Sequence, residues 1–244
     1  MTFMRYWRLI FLCSMLFSPP FGSHANELSG SIQVASDFFW RGYSKSNGQH
    51  SVQANIEFVQ DNGLYVGVWA ATVDFTDSDF EDSSKIEFAP YLGLTLPLTH
   101  NWVVDLQVTR YIYDAKLFAR DSDYSEYYLF LHYQDLLTAE ISFADDAYKI
   151  GKKSSNYQLI GRYPIGEHGE FSAGLGYFKA FELFDYDYTY WNFGYTWFLK
   201  NYVAVDARYF ATREVNEATE LNYFWTRALP FKENIIIFTF SVGL

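Results

Sequence analysis

From Leu28 onward, apolar and polar residues alternate with a period of two, the spacing at which side chains of an extended strand point to opposite faces. Read on that period, the chain predicts twelve strands, over 29–41, 50–60, 64–75, 85–96, 101–113, 124–134, 136–146, 155–164, 169–180, 187–199, 202–212 and 235–244. Most reach the roughly 9–11 residues that a tilted strand needs to cross a bilayer. Val52, Ala54, Ile56 and Phe58 alternate with Ser51, Gln53, Asn55 and Glu57, and Ile236, Phe238, Phe240, Val242 and Leu244 alternate with Thr239, Ser241 and Gly243. A charge facing hydrocarbon at mid-depth costs about 2–4 kcal/mol, so the apolar set is expected to face lipid. Trp69, Trp102, Tyr127, Tyr133, Tyr157, Tyr163, Trp191, Tyr195, Trp197 and Tyr209 are assigned to that outer face, several near strand ends where aromatic girdles belong. Two positions fit less well. Pro90 inside a strand predicts a bulge, and Arg110 has outward parity, tolerable near a rim.

The connections carry an independent signal. Even-numbered strands are followed by short turns, among them Asp61-Asn62-Gly63, Pro97-Leu98-Thr99-His100 and Lys200-Asn201. Odd-numbered strands are followed by longer polar segments, such as 76–84, 115–123, 147–154 and 213–234. Short turns on one side and long loops on the other characterise an outer-membrane barrel. The expected fold is therefore all-β, a transmembrane antiparallel up-and-down β-barrel of about twelve strands, with both termini on the short-turn side. A soluble β-sandwich would also alternate; the turn–loop asymmetry and the aromatic content of 21%, above the 19% of charged residues, favour the barrel.

The first 25 residues read as a cleavable secretory signal. Arg5 and Arg8 precede the apolar run from Leu9 to Phe17, Pro19-Pro20 follows, and Ser23-His24-Ala25 places cleavage before Asn26. Residues 26–244 then form one barrel domain. Cys13, in the signal, is the single cysteine, so thiolate metal sites and a cysteine nucleophile are excluded from the mature chain. The formal charge of −11 argues against nucleic acid as a partner.

If the faces are assigned correctly, the interior receives Asp37, Glu57, Glu87, Asp105, Glu126, Glu140 and Asp206 against Arg41, Arg162 and Arg208. His132, Gln33, Gln53, Asn55, Gln107, Gln158, Asn192, Tyr91, Tyr111 and Tyr128 add polar lining. The acids outnumber the arginines, which suggests a narrow pore that favours cations or neutral polar solutes; the alternative is that the charges pair across the lumen and plug it. Asp37 and Arg41 share one face of the first predicted strand and suggest a salt-bridge network near a constriction, or simply a stabilising pair. Enzyme readings are weak: His132 is alone on its strand, and no nucleophile-elbow, zinc-protease or phosphate-loop sequence occurs. No cofactor or metal is expected, and Asp145-Asp146 or Asp77/Asp79 read as solvated loop charges rather than a Ca²⁺ site.

Several segments resemble a known family. Gly30 to Ser44, containing Ser36-Asp37-Phe38-Phe39-Trp40-Arg41-Gly42-Tyr43-Ser44, resembles the "SDY-x-x-RG-x-S" opening of the TorF-like porins of proteobacteria, once classed as conserved hypothetical proteins. Gly63-Leu64-Tyr65-Val66-Gly67-Val68-Trp69 is similar to that family's "G-x-YVG-x-W" segment, Ile86-Glu87 and Tyr91-Leu92-Gly93 to its "IE-x-D-x-Y-x-G" strand, and Tyr111-Ile112-Tyr113 to its "Y-x-Y" strand. Phe88 stands where the family carries an acid, and Ala71-Thr72 replaces its small-Asn pair. The resemblance implies an outer-membrane location and a pore, with no known substrate and no catalytic residue.

A channel for passive diffusion of small polar solutes is the leading expectation. A non-conducting barrel serving as scaffold or surface-binding protein is the alternative, ahead of an outer-membrane enzyme. Expected surroundings are the lipid and lipopolysaccharide of a Gram-negative outer membrane. Periplasmic chaperones and the insertion machinery would read the alternating segment 235–244 during assembly, and association of barrels into homo-oligomers stays open.

Overall fold

The computed structural model describes residues 26–76, 83–117, 120–184, 186–200, 202–215 and 234–243. The expected signal peptide, the Asp77/Asp79 pair, most of the 213–234 connection and Leu244 lie outside the described residues. Twelve long strands run antiparallel to their neighbours: β1 (Glu27–Ala35), β4 (Ser51–Val59), β5 (Leu64–Thr72), β6 (Ile86–Pro97), β7 (Trp102–Tyr113), β8 (Tyr124–Tyr133), β9 (Leu137–Ala144), β10 (Ser154–Ile165), β11 (Gly169–Lys179), β12 (Tyr188–Lys200), β13 (Val203–Glu214) and β14 (Asn234–Gly243). Strand β1 pairs with both β4 and β14, so the sheet closes on itself. Two short strands, β2 (Phe39–Trp40) and β3 (Tyr43–Ser44), pair only with each other. Closure satisfies every edge that would otherwise present unpaired N–H and C=O groups, the condition for a sheet to survive in hydrocarbon. The start of β1, the end of β14 and the tight turns share one end, here the turn end; the strand ends that lead into the longer connections share the other, the loop end. At the turn end Gly63 takes a left-handed φ of 86°, and Asn62 Oδ1 accepts the Leu64 N–H at 3.0 Å. At the loop end Asp114 ties β7 to the start of β6. Its partial burial works against ionisation, but bonds from the Ser84 hydroxyl and the N–H groups of Ile86 and Lys85 hold its carboxyl below the usual aspartate range.

The alternation assigns the two faces as expected. Ile32, Val52, Ile56, Leu106, Leu129, Ile141, Leu175 and Phe238 are exposed on the outside. Leaving this many large apolar side chains in water would cost about 25 cal/mol for each Å² of them, so the outer face is built for lipid. Leu129 sits in the middle of that belt, flanked by outward Leu106 on β7 and Ile141 on β9. Leu129→Arg is expected to destabilise the barrel by about 2–4 kcal/mol. Denaturant titration in detergent or lipid, followed by heat-dependent gel mobility, checks it; an unchanged midpoint would rule out a lipid-facing Leu129.

Two of the family-like segments interlock. Tyr65 lies directly across from Gly93, and Tyr91 directly across from Gly67. The rings occupy the space of the missing side chains: a Cβ on Gly93 would come within 2.1 Å of the Tyr65 ring, and one on Gly67 within 2.3 Å of the Tyr91 ring. Each tyrosine thus crosses its neighbour strand and bonds to the one beyond. Tyr65 donates to Asp105 on β7 at 2.6 Å, and Tyr91 to Asn55 and Glu57 on β4 at 3.0 and 3.1 Å.

Three expectations need correction. The bulge at Pro90 does not occur: β6 pairs with β7 as Phe88↔Ile112 and then Tyr91↔Thr109, the same offset, so the ladder is interrupted without an inserted residue. Trp69 faces inward, sharing the parity of Tyr65 and Ala71, and its ring packs 5.2 Å from that of Phe38. The first strand stops at Ala35 instead of running to Arg41. Arg110 does point outward; it lies close to the loop end of β7 and donates to Ser125 at 3.3 Å.

Candidate functional site

Residues 36–50 leave the wall and fold into the barrel as a hairpin. The reason is local. Asp37 to Arg41 breaks the period of two, placing three bulky aromatics in succession, which no two-faced strand can send to one side. Arg41 and Gly42 both adopt left-handed φ values, 46° and 91°, and turn β2 back onto β3 with Trp40 opposite Tyr43. Asn47 and Gly48 make a second turn of this kind, with φ 54° and 75°. Asp37 fastens the base, accepting from the hydroxyls of Ser44 at 2.5 Å and Ser46 at 2.8 Å. A left-handed arginine costs about 1–2 kcal/mol, so its environment must hold it there.

That environment is a network on the facing wall. Arg41 Nη1 donates to Glu126 on β8 at 2.6 Å, and Nη2 to Glu140 and Ser142 on β9 at 3.2 and 2.7 Å. Glu126 also accepts from Tyr128 at 2.6 Å, and Tyr128 meets the Tyr111 hydroxyl at 2.5 Å. Glu140 accepts from Asn156, whose amide oxygen accepts from Tyr190 at 2.8 Å. The chain of bonds therefore runs from β7 to β12. Lys45, just past β3, is fully buried and holds both oxygens of the equally buried Glu87, at 2.9 and 2.7 Å. Its ammonium and the Arg41 guanidinium each lie 4.2 Å from the Trp40 ring. On the remaining side Thr212 of β13 donates to the Gly42 carbonyl at 2.8 Å.

The loop end closes over this hairpin. Tyr148, in the 3₁₀ turn Ala147–Lys149, meets the Tyr43 hydroxyl at 2.6 Å, and Phe184, in the short helix α1 (Phe181–Phe184), packs 6.5 Å from the Tyr43 ring. Phe38, Trp40, Tyr111, Tyr124, Phe178 and Tyr188 join the same buried aromatic cluster. The loop half of the interior is filled by side chains.

Of the ten residues singled out from the sequence, Glu57, Glu87, Asp105, Glu126, Glu140, Arg162, Asp206 and Arg208 face the interior from the strands, while Asp37 and Arg41 belong to the hairpin. Four of them meet in the two ion-pair groups around the hairpin: Arg41 with Glu126 and Glu140, and Glu87 with Lys45. Asp37 stays within the hairpin, and the other five lie elsewhere on the wall. Arg208 pairs with Asp206 at 3.0 Å and donates to Ser172 and Asn192. Arg162 donates to Thr138 at 3.1 Å, and His132 shares that hydroxyl at 3.0 Å as a wall residue. Gln33, Asn55, Gln107, Arg162 and Asn192, beyond the reach of the hairpin's bonds, are half-buried. Sequence reasoning missed Lys45 and Glu170. Lys45 fell in a presumed loop, though the Asn47-Gly48 turn beside it was a readable sign of a structured reversal. Glu170 alternates with Phe171 and was readable from parity alone.

Several solved outer-membrane porins and transporters share this architecture. The chain aligns with the KdgM porin at a TM-score of 0.52 and 7% identity, covering 88% of this chain and 97% of that one. It aligns with the toluene transporter TodX of Pseudomonas putida at 0.52 and 9%, covering 91% and 88%, and with the NanC porin at 0.51 and 10%, covering 89% and 98%. At such identities the likeness is one of fold, the closed barrel of outer-membrane channels. No curated protein matches the chain. A family model described as a bacterial protein of unknown function (Gcw_chp) matches residues 21–237, so the chain belongs to that family.

Proposed function

We propose that this chain is an outer-membrane channel for small polar solutes, closed at rest by the hairpin of residues 36–50. The observation that carries the reading is Arg41 reaching from the hairpin to Glu126 and Glu140 on the far wall. The ion pairs and hydrogen bonds give the seal a second, unseated state in which those groups meet water, while the aromatic packing of Phe38, Trp40 and Tyr43 favours the seated one. The lipid-facing belt, the fold shared with porins and the resemblance to TorF-like porins support the membrane location and the channel role. In this reading the loop end faces outward, lipopolysaccharide surrounds it, and the chain arrives by a cleaved signal, periplasmic chaperones and the insertion machinery. Asp37, Glu57, Glu87, Asp105, Glu126, Glu140, Glu170 and Asp206 outnumber Arg41, Lys45, Arg162 and Arg208 inside, which favours cations and neutral solutes over anions.

The filled loop half favours a second reading, a non-conducting scaffold. Planar-bilayer recording separates the two. Wild-type protein is expected to conduct in rare bursts, and a variant with residues 37–49 replaced by a short turn to conduct steadily. A replaced variant that shows heat-dependent gel mobility yet stays silent leaves the scaffold.

A further inference from the structure

Below the hairpin, the interior charges divide by wall. Glu57 on β4 and Asp105 on β7 make no ion pair among the described residues; each receives only tyrosine hydroxyls, from Tyr91 and Tyr65. Among the described residues, Arg162 on β10 has no carboxylate within 4.0 Å and its side chain donates only to the Thr138 hydroxyl. In the closed ring, β4 and β10 stand six strands apart in either direction, so Glu57 and Arg162 face each other across the full width of the lumen. They also share a level: Glu57 is third from the turn end of its strand, while Asp105 and Arg162 are each fourth from theirs. Arg208, on the strand opposite β7, is already paired with Asp206 and adds little to the contrast. Neither wall completes its own bonding. Among the described residues, Gln53 Nε2 and Asn55 Nδ2, beside Glu57 on β4, lack hydrogen-bond partners, and so does Glu170 Oε1 on β11, next to Arg162's strand. Gln53 and Glu170 are both more than nine-tenths buried.

Opposite charges left unpaired across a gap, at one level of the lumen, suit a solute that bears both charges itself. We propose that this part of the lumen binds small zwitterions, α-amino acids above all. The ammonium group would lie toward Glu57 and Asp105, and the carboxylate toward Arg162. Electrostatic complementarity of this kind rewards a solute that matches both walls and penalises one with a single charge, which leaves the other wall unanswered. The proposal deepens the channel reading by naming its solute class, and Glu170 and Asp135 are the acids whose charge reaches Arg162.

Calorimetric titration of the purified full-length mature protein in detergent tests it without requiring an open pore. L-Glutamine is expected to bind, and n-butylamine, butyrate and glucose at the same concentration to bind at least about tenfold more weakly. Glu57→Gln and Arg162→Gln should each weaken glutamine binding by about tenfold, whereas Glu170→Gln, which removes a negative charge beside Arg162, should strengthen it. The double exchange Glu57→Arg with Arg162→Glu should restore binding lost in either single exchange, which a merely structural role would not do. Glutamine binding no better than butylamine or butyrate, or binding indifferent to Arg162→Gln in a variant that retains heat-dependent mobility, overturns the proposal. Silence in bilayers with calorimetric binding intact would remove the channel reading and leave this site standing.

Discussion

Arg41→Ala is expected to convert rare openings into a predominantly open channel in planar bilayers. The substitution removes one cation and leaves Glu126 and Glu140 buried without it, both at most 5% exposed. Uncompensated buried charge of this kind costs about 3–5 kcal/mol. The unseated hairpin suffers no such loss, because in water both glutamates are solvated. The difference therefore falls on the seated state and shifts the equilibrium toward the open form by roughly two to four powers of ten. Arg41→Lys is expected to lie between, since an ammonium keeps the charge but loses the fork that spans two glutamates and Ser142. Unaltered conductance in Arg41→Ala, with the barrel folded, would show that these bonds are not what closes the lumen.

Lys45→Met is expected to produce the largest loss of stability of any single interior substitution considered. Lys45 and Glu87 are both fully buried and meet in a two-oxygen contact. Removing the cation strands the carboxyl, again at about 3–5 kcal/mol, and forfeits an ammonium placed against the Trp40 ring. Adding Glu87→Gln should recover most of the loss, because a neutral amide replaces the stranded acid. The midpoint of guanidinium unfolding in detergent, followed by tryptophan fluorescence, reads both steps. A double variant no more stable than Lys45→Met would show that Glu87 is not the source of the cost.

The twelve wall strands were legible because lipid and lumen impose opposite demands on neighbouring residues, and a period of two records those demands directly. Observed ends fall within one to three residues of the expected ones wherever the alternation holds. Where it fails, at Asp37 to Arg41, reading onward as a strand carried the wall six residues too far. Two turn signals stood in the same stretch, Arg41-Gly42 and Asn47-Gly48, and three successive aromatics had no consistent face. Trp69 was misplaced for a related reason: its residue type suits an aromatic girdle, but its parity belongs with Tyr65 and Ala71. Parity, which follows from backbone geometry, outweighed the preference of a residue type.

The sequence alone determined the closed all-β barrel, its outer belt and the inward direction of eight of the ten charged residues, because each follows from side-chain alternation along a strand. Tertiary structure decided what the interior contains. Whether Arg41 lines a wall or bridges to Glu126 and Glu140, and whether Lys45 hangs in a loop or locks onto Glu87, depends on contacts between segments 42 to 99 residues apart. Local spacing carries no record of such distances, and a segment that leaves the wall leaves the periodicity that made the rest readable.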